Sequence, residues 1–162
     1  MKGNQTIIEG LNSLLASELA AMDQYFIHSE MYLDWGLTKL YDRISHEFND
    51  EKGHAKKLIE RMLFLEGTPD MVTRDKINIG SDVSEMLQSD LDIEYAVDAR
   101  LKTVIALCES ESDFVTRDML VVLLDDTETD HAYFLEQQLR LIKMMGLPNY
   151  LQAQTSSASS GS

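Results

Sequence analysis

Apolar residues recur at three- and four-residue steps along four long segments of the chain, and each such segment predicts an α-helix that turns one stripe toward a shared core. The first, about Thr6 to Leu33, carries Ile7, Leu11, Leu14, Leu15, Met22, Tyr25 and Phe26 on that stripe. A break at Asp34-Trp35-Gly36 separates it from the second, about Leu37 to Leu65, with Leu40, Ile44, Leu58, Met62 and Leu65 inward. The third starts near Ser81 or Asp82, where Ser81 and Glu85 offer capping chemistry, and runs through Leu87, Leu91, Val97, Leu101, Val104 and Ile105 to about Ser110. The fourth covers roughly Asp113 to Met145, with Leu120, Leu124, Leu135, Leu139 and Ile142 inward, and Gly146 stops it. A short fifth helix follows Pro148.

Residues 67–81 show no such period. They hold Pro69, Gly80 and a short strand expected at Lys76-Ile77-Asn78-Ile79. Their length suits a crossover that joins two parallel neighbours, because antiparallel helices need only a few linking residues. The pattern as a whole predicts an all-α, four-helix bundle over residues 1–154, followed by a flexible, serine-rich tail at 155–162.

Polar residues break these stripes at selected places. Glu18 falls in the apolar phase of the first helix and Glu94 in that of the third; Glu47, Glu51 and His54 interrupt the second stripe, Glu128 and His131 the fourth. Glu51 with His54, and Glu128 with His131, each set a carboxylate and an imidazole one helical turn apart. Glu18 precedes the first pair by 33 residues and Glu94 precedes the second by 34, so one ligand pattern occurs twice. An unpaired buried carboxylate costs several kcal/mol, and few inward lysines or arginines are available to neutralise four of them. Two divalent cations match four carboxylates charge for charge. Mixed carboxylate and imidazole donors without thiolates suit iron, manganese or zinc and exclude an iron-sulfur cluster.

Composition narrows the picture further. The chain has 162 residues, which suits one domain, and only two prolines and eight glycines interrupt its helices. A formal charge of −14 argues against nucleic acid and anionic membrane surfaces as partners and favours metal cations. No apolar run reaches the length of a membrane span, and Met1-Lys2-Gly3-Asn4-Gln5 lacks the apolar core of a secretory signal, so a cytoplasmic location is expected. The single cysteine, Cys108, agrees with a reducing compartment and reads as a small buried side chain.

With those residues in view, the chain resembles bacterioferritin over almost its whole length. The resemblance is carried by Asp23-Gln24-Tyr25-Phe26, Trp35-Gly36-Leu37, Phe64-Leu65-Glu66-Gly67, Asn78-Ile79-Gly80, Ser89-Asp90-Leu91 and Arg117-Asp118-Met119, and by the doubled ligand pattern itself. It implies a ferritin-like bundle and two iron ions per subunit: one held by Glu18, Glu51 and His54, the other by Glu94, Glu128 and His131, with Glu51 and Glu128 bridging. It also implies oxidation of Fe(II) by oxygen or hydrogen peroxide, storage of ferric mineral in a hollow shell of 24 subunits, and a ferredoxin-type reductase partner for iron release. Tyr25 corresponds to the family tyrosine beside the centre, a source of an electron as well as a buried bundle aromatic, and His46 and Asp50 to an inner-surface iron site. One position departs from the family: Lys52 stands where the haem-binding methionine belongs. A homo-oligomer would then lack haem b, which would be held only at a mixed interface with a methionine-bearing subunit. Two alternatives accompany this reading, an accessory shell subunit that co-assembles with a haem-binding one, and a peroxide-detoxifying di-iron protein.

Overall fold

A computed structural model of the chain describes residues 1–155, and the serine-rich tail from residue 156 lies outside the described residues. The helices are α1 (Gln5–Asp34), α2 (Thr38–Phe64), α3 (Val83–Ser110), α4 (Phe114–Asp126), α5 (Tyr133–Met145) and α6 (Leu147–Thr155). Residues Thr127–Ala132 form a π-helical turn that joins α4 and α5 into one long rod, the fourth helix of the bundle. Side-chain caps set several boundaries. Asn4 accepts from the Thr6 N–H at 2.8 Å, Asp82 from Glu85 at 2.9 Å and Asp113 from Thr116 at 3.0 Å, each satisfying an amide that the first turn leaves free. The last long helix ends at Gly146, whose φ of +81° an L side chain resists. The short sixth helix starts at Leu147, one residue earlier than Pro148 suggested, because proline is tolerated in a first turn.

Helix directions follow from contacts at the ends. The Gly3 N–H reaches the Leu65 carbonyl at 2.8 Å, and Asn4 Nδ2 reaches Glu111 Oε2 at 2.7 Å, so the start of α1 meets the ends of both α2 and α3. These two helices therefore run parallel to each other and antiparallel to α1, as a long crossover requires. The crossover lies along α1. Asp70 N–H donates to Asn12 Oδ1 (2.8 Å), Asp75 N–H to the Ala16 carbonyl (3.3 Å), Asn78 N–H to Gln24 Oε1 (3.0 Å) and Gly80 N–H to His28 Nε2 (3.3 Å). From Asn12 to His28 that is about 24 Å of helix at 1.5 Å per residue. The expected strand at Lys76–Ile79 is absent: the Asn78 N–H goes to the Gln24 side chain of α1, and no strand is present among the described residues for the segment to pair with. Phe26, expected inward, is exposed and packs edge-on against Phe48.

Two apolar clusters fill the interior. Ile7, Leu11, Leu15, Leu58, Leu101 and Leu123 belong to one, and Tyr25, Tyr32, Ile44, Leu87, Leu135 and Tyr150 to the other. Cys108 is buried in the first. Between them lies a polar layer.

Candidate metal centre

That layer consists of ionisable side chains with almost no exposure: Glu18, Glu94 and His131 at 0%, Glu51 at 1% and His54 at 4%. Each comes from a different turn of the bundle, Glu18 from α1, Glu51 and His54 from adjacent turns of α2, Glu94 from α3 and His131 from the π-helical turn. Glu18, Glu51 and His54 offer one set of donor atoms within 4.8 Å of one another, and Glu51, Glu94 and His131 offer a second. Glu51 is common to both. Its Oε2 lies 3.3 Å from His54 Nδ1 and its Oε1 2.8 Å from His131 Nδ1, so one carboxylate spans the two sets. The imidazoles are stacked, with ring centroids 5.5 Å apart.

Both oxygens of Glu18, one each of Glu51 and Glu94, and both Nδ1 atoms are buried without a hydrogen-bond partner. Such orphaned atoms are rare in proteins unless something else belongs among them. A donor set of three carboxylates and two imidazoles, all aimed at one space, fits two hard-to-borderline divalent cations. Without them, protons must balance the charge. Burial together with the neighbouring Glu51 charge raises Glu18 well above the usual carboxylate range, and the same two causes push Glu94 up to about 7. Glu51 is driven the other way: burial disfavours its charge, but the close approach of Glu18, His131 and His54 outweighs it. Burial likewise opposes the charge on His54, yet Glu18 and Glu51 hold it up to about 11. His131 is raised strongly by Glu47, Glu51 and Glu94 against the same opposition.

Tyr25 donates its hydroxyl to Glu94 Oε1 and is itself buried, which raises it well above the ordinary phenol. Glu128 does not join the cluster. Its side chain is 46% exposed and meets Lys102 Nζ at 2.8 Å. The cause is the π-helical turn, whose i→i+5 bonds widen the helix from 3.6 to about 4.4 residues per turn. Residues three apart, such as Glu128 and His131, then leave each other's face, and residues five apart approach it. Asp126, five before His131, is the one that comes near, with Oδ2 2.7 Å from His54 Nε2 and 3.8 Å from His131 Nε2.

His46 is exposed and Asp50 half-buried, and the two lie 3.2 Å apart. Asp50 also belongs to a group with Glu47, Asp130 and His131. A positive charge is already present there, since Arg43 Nη2 lies 2.6 Å from Glu47 and 2.8 Å from Asp130, with its guanidinium over the Phe134 ring. Spacing alone pointed to neither Asp126 nor Arg43. Glu47 had left a trace as a charge inside the second apolar stripe. Lys52 projects from α2 into a groove of about 640 Å³ shared with Leu19, Met22, Ala55, Ile59 and Met71. No described helix is long and apolar enough to cross a membrane.

Residues 8–145 match the family model described as a ferritin-like domain. The chain is 59% identical over 156 residues to a bacterial ferritin of Synechocystis, covering 96% of this chain and all of that one. It is 57% identical over 154 residues to a bacterial ferritin of Pseudomonas aeruginosa (95% and 99% covered) and 40% identical over 152 residues to a bacterioferritin of Brucella melitensis (94% of each).

Proposed function

Because the chain belongs to the ferritin-like family, we propose that it is an iron-storage ferroxidase, whose buried Glu18, Glu51, His54, Glu94 and His131 take two Fe(II) ions as substrate. The observation that carries this reading is Glu51, one carboxylate with an oxygen in each of two donor sets. A shared ligand keeps two ions close. One electron from each then meets the demand of a two-electron oxidant such as oxygen or hydrogen peroxide.

The chain's own groups prepare that event. Metal entry replaces protons on Glu18, Glu94 and the two imidazoles, so charge in the layer stays balanced as the ions arrive. Tyr25 sits within hydrogen-bond reach of Glu94 and is placed to give an electron or a proton beside the pair. His46 and Asp50, on the side of α2 that leads to His131, form a second stop for iron on its way to or from the mineral. Assembly into a hollow 24-subunit shell belongs to the same reading. The exposed Phe26, Leu63, Phe64, Met71 and Val72 support it as apolar surface that an isolated subunit would leave in water.

Assembled, metal-free protein given Fe(II) in air tests the proposal. Wild type should oxidise it in a rapid phase, and Glu51→Ala should slow that phase by at least about 100-fold while the shell persists. Equal rates would defeat the assignment. A second reading, an accessory shell subunit, is favoured by the outward position of Glu128; it predicts that shells of the wild-type chain alone are intact but lack the rapid phase.

A further inference from the structure

The two imidazoles of the polar layer show the same unexplained arrangement. In each ring Nδ1 faces carboxylates of the ligand pattern, Glu18 and Glu51 for His54 and Glu51 and Glu94 for His131, and the nearest carboxylate to Nε2 is a different one that the pattern does not include. For His54 that group is Asp126, hydrogen-bonded at 2.7 Å; for His131 it is Glu47, 2.9 Å away but outside hydrogen-bond geometry. Asp126 Oδ2 also lies 3.8 Å from His131 Nε2, so it stands behind both stacked rings. Glu47 is 1% exposed and is fixed in turn by Arg43, which Asp130 and the face of Phe134 hold in place. A buried ring with a carboxylate hydrogen-bonded behind it and converging donor atoms in front, as at His54, is the arrangement that selects one tautomer of a ligating histidine.

We propose that Asp126 is a positioning residue that accepts the Nε2–H of His54 and thereby presents Nδ1 to the metal pocket. The inference rests on the metal-binding reading of the layer. An imidazole has two nitrogens, and a ring without a partner at the back can turn the wrong one forward or carry its single proton on the ligating atom. The carboxylate removes both losses and makes Nδ1 more basic. Asp126 is placed to do this by the wide turn that follows it, because Thr127–Ala132 sets residue 126 near the face of residue 131. The turn that withdraws Glu128 from the pocket thus installs Asp126 behind it.

The test is titration of the assembled, metal-free protein with Co(II), read by the visible d–d absorption that reports coordination number and ligand set. Wild type should bind two ions per chain. Asp126→Ala should weaken one of them by 10- to 100-fold and change its band shape, the range seen when an outer partner of a ligating histidine is lost. Asp126→Asn keeps an acceptor oxygen without the charge and should recover most of that loss. Its side chain is 41% exposed, so neither change threatens the fold. Two ions bound by Asp126→Ala with unaltered affinity and spectrum would overturn the proposal. So would a loss in Asp126→Asn as deep as in alanine, which would make the carboxylate itself a ligand. Wild-type protein that binds no Co(II) would instead defeat the metal-binding reading on which the inference stands.

Discussion

At the scale of single residues, two buried networks of ionisable groups stand out, the candidate metal layer and one other. The other is Asp90, fully buried, which accepts from Gln24 Nε2 at 2.8 Å and from His28 Nδ1 at 2.8 Å. His28 then receives the Gly80 N–H on its other nitrogen, and Gln24 receives that of Asn78. A chain of hydrogen bonds therefore runs from α3 through α1 to the end of the crossover. Gly80 is required there for space: a Cβ would stand 2.5 Å from the Met86 backbone nitrogen. Asp90→Ala would strand two buried donors at about 1–3 kcal/mol each, so the metal-free protein should lose roughly 2–5 kcal/mol of stability by urea unfolding. Hydrogen exchange should quicken first at Asn78 and Gly80. Unchanged exchange in that segment would mean that Asp90 does not anchor it.

At the scale of elements, the four long helices and the crossover were legible because a period of 3.6 is repeated over seven or eight turns, and noise averages out. Parallel α2 and α3 followed from loop length alone. Residues 76–79 resembled a strand since alternation looks the same whether an edge pairs with a strand or with side chains of a helix. The π-helical turn left no periodic trace: one extra residue inside a long helix shifts the phase only after it, and the Glu-x-x-His spacing at Glu128 and His131 presumes a regular α-helix. The structure accordingly brings Glu18, Glu51, His54, Glu94 and His131 together and leaves Glu128, inside the irregular turn, outside the cluster. Thr127, four residues before His131, is fully buried and takes the inward place that Glu128, three residues before it, would approach in a regular α-helix. Deleting it should turn 126–132 into ordinary α-helix with α4 and α5 still in phase, and move Glu128 from Lys102 into the layer. Co(II) should then bind about tenfold more tightly, a carboxylate ligand having been gained. A crystal structure that keeps the wide turn, or Glu128 on Lys102, would refute this.

At the scale of the whole molecule, the surface carries the remaining message. The groove beside Lys52 is apolar along Leu19, Ala55 and Ile59 and offers room for a flat ligand, but the side chain at its exposed rim is an amine. Haem held by paired methionines, as the sequence resemblance implies, would need a thioether there, and lysine does not supply one. On that reading, an assembly made of this chain alone is expected not to hold haem in this way. Met22 and Met71 also line the groove, and a thioether from one of them would have to serve if haem bound regardless. The two cases separate cleanly. Assembled wild-type protein incubated with haem should keep no specific Soret band after gel filtration, whereas Lys52→Met should retain haem with the band position of bis-thioether iron and sharpen it on reduction. If wild type and Lys52→Met take up haem equally, the groove binds by its apolar walls and the residue at position 52 has no say. Retention by neither would place the obstacle in the pairing of subunits, which an assembly mixed with a methionine-bearing relative should relieve.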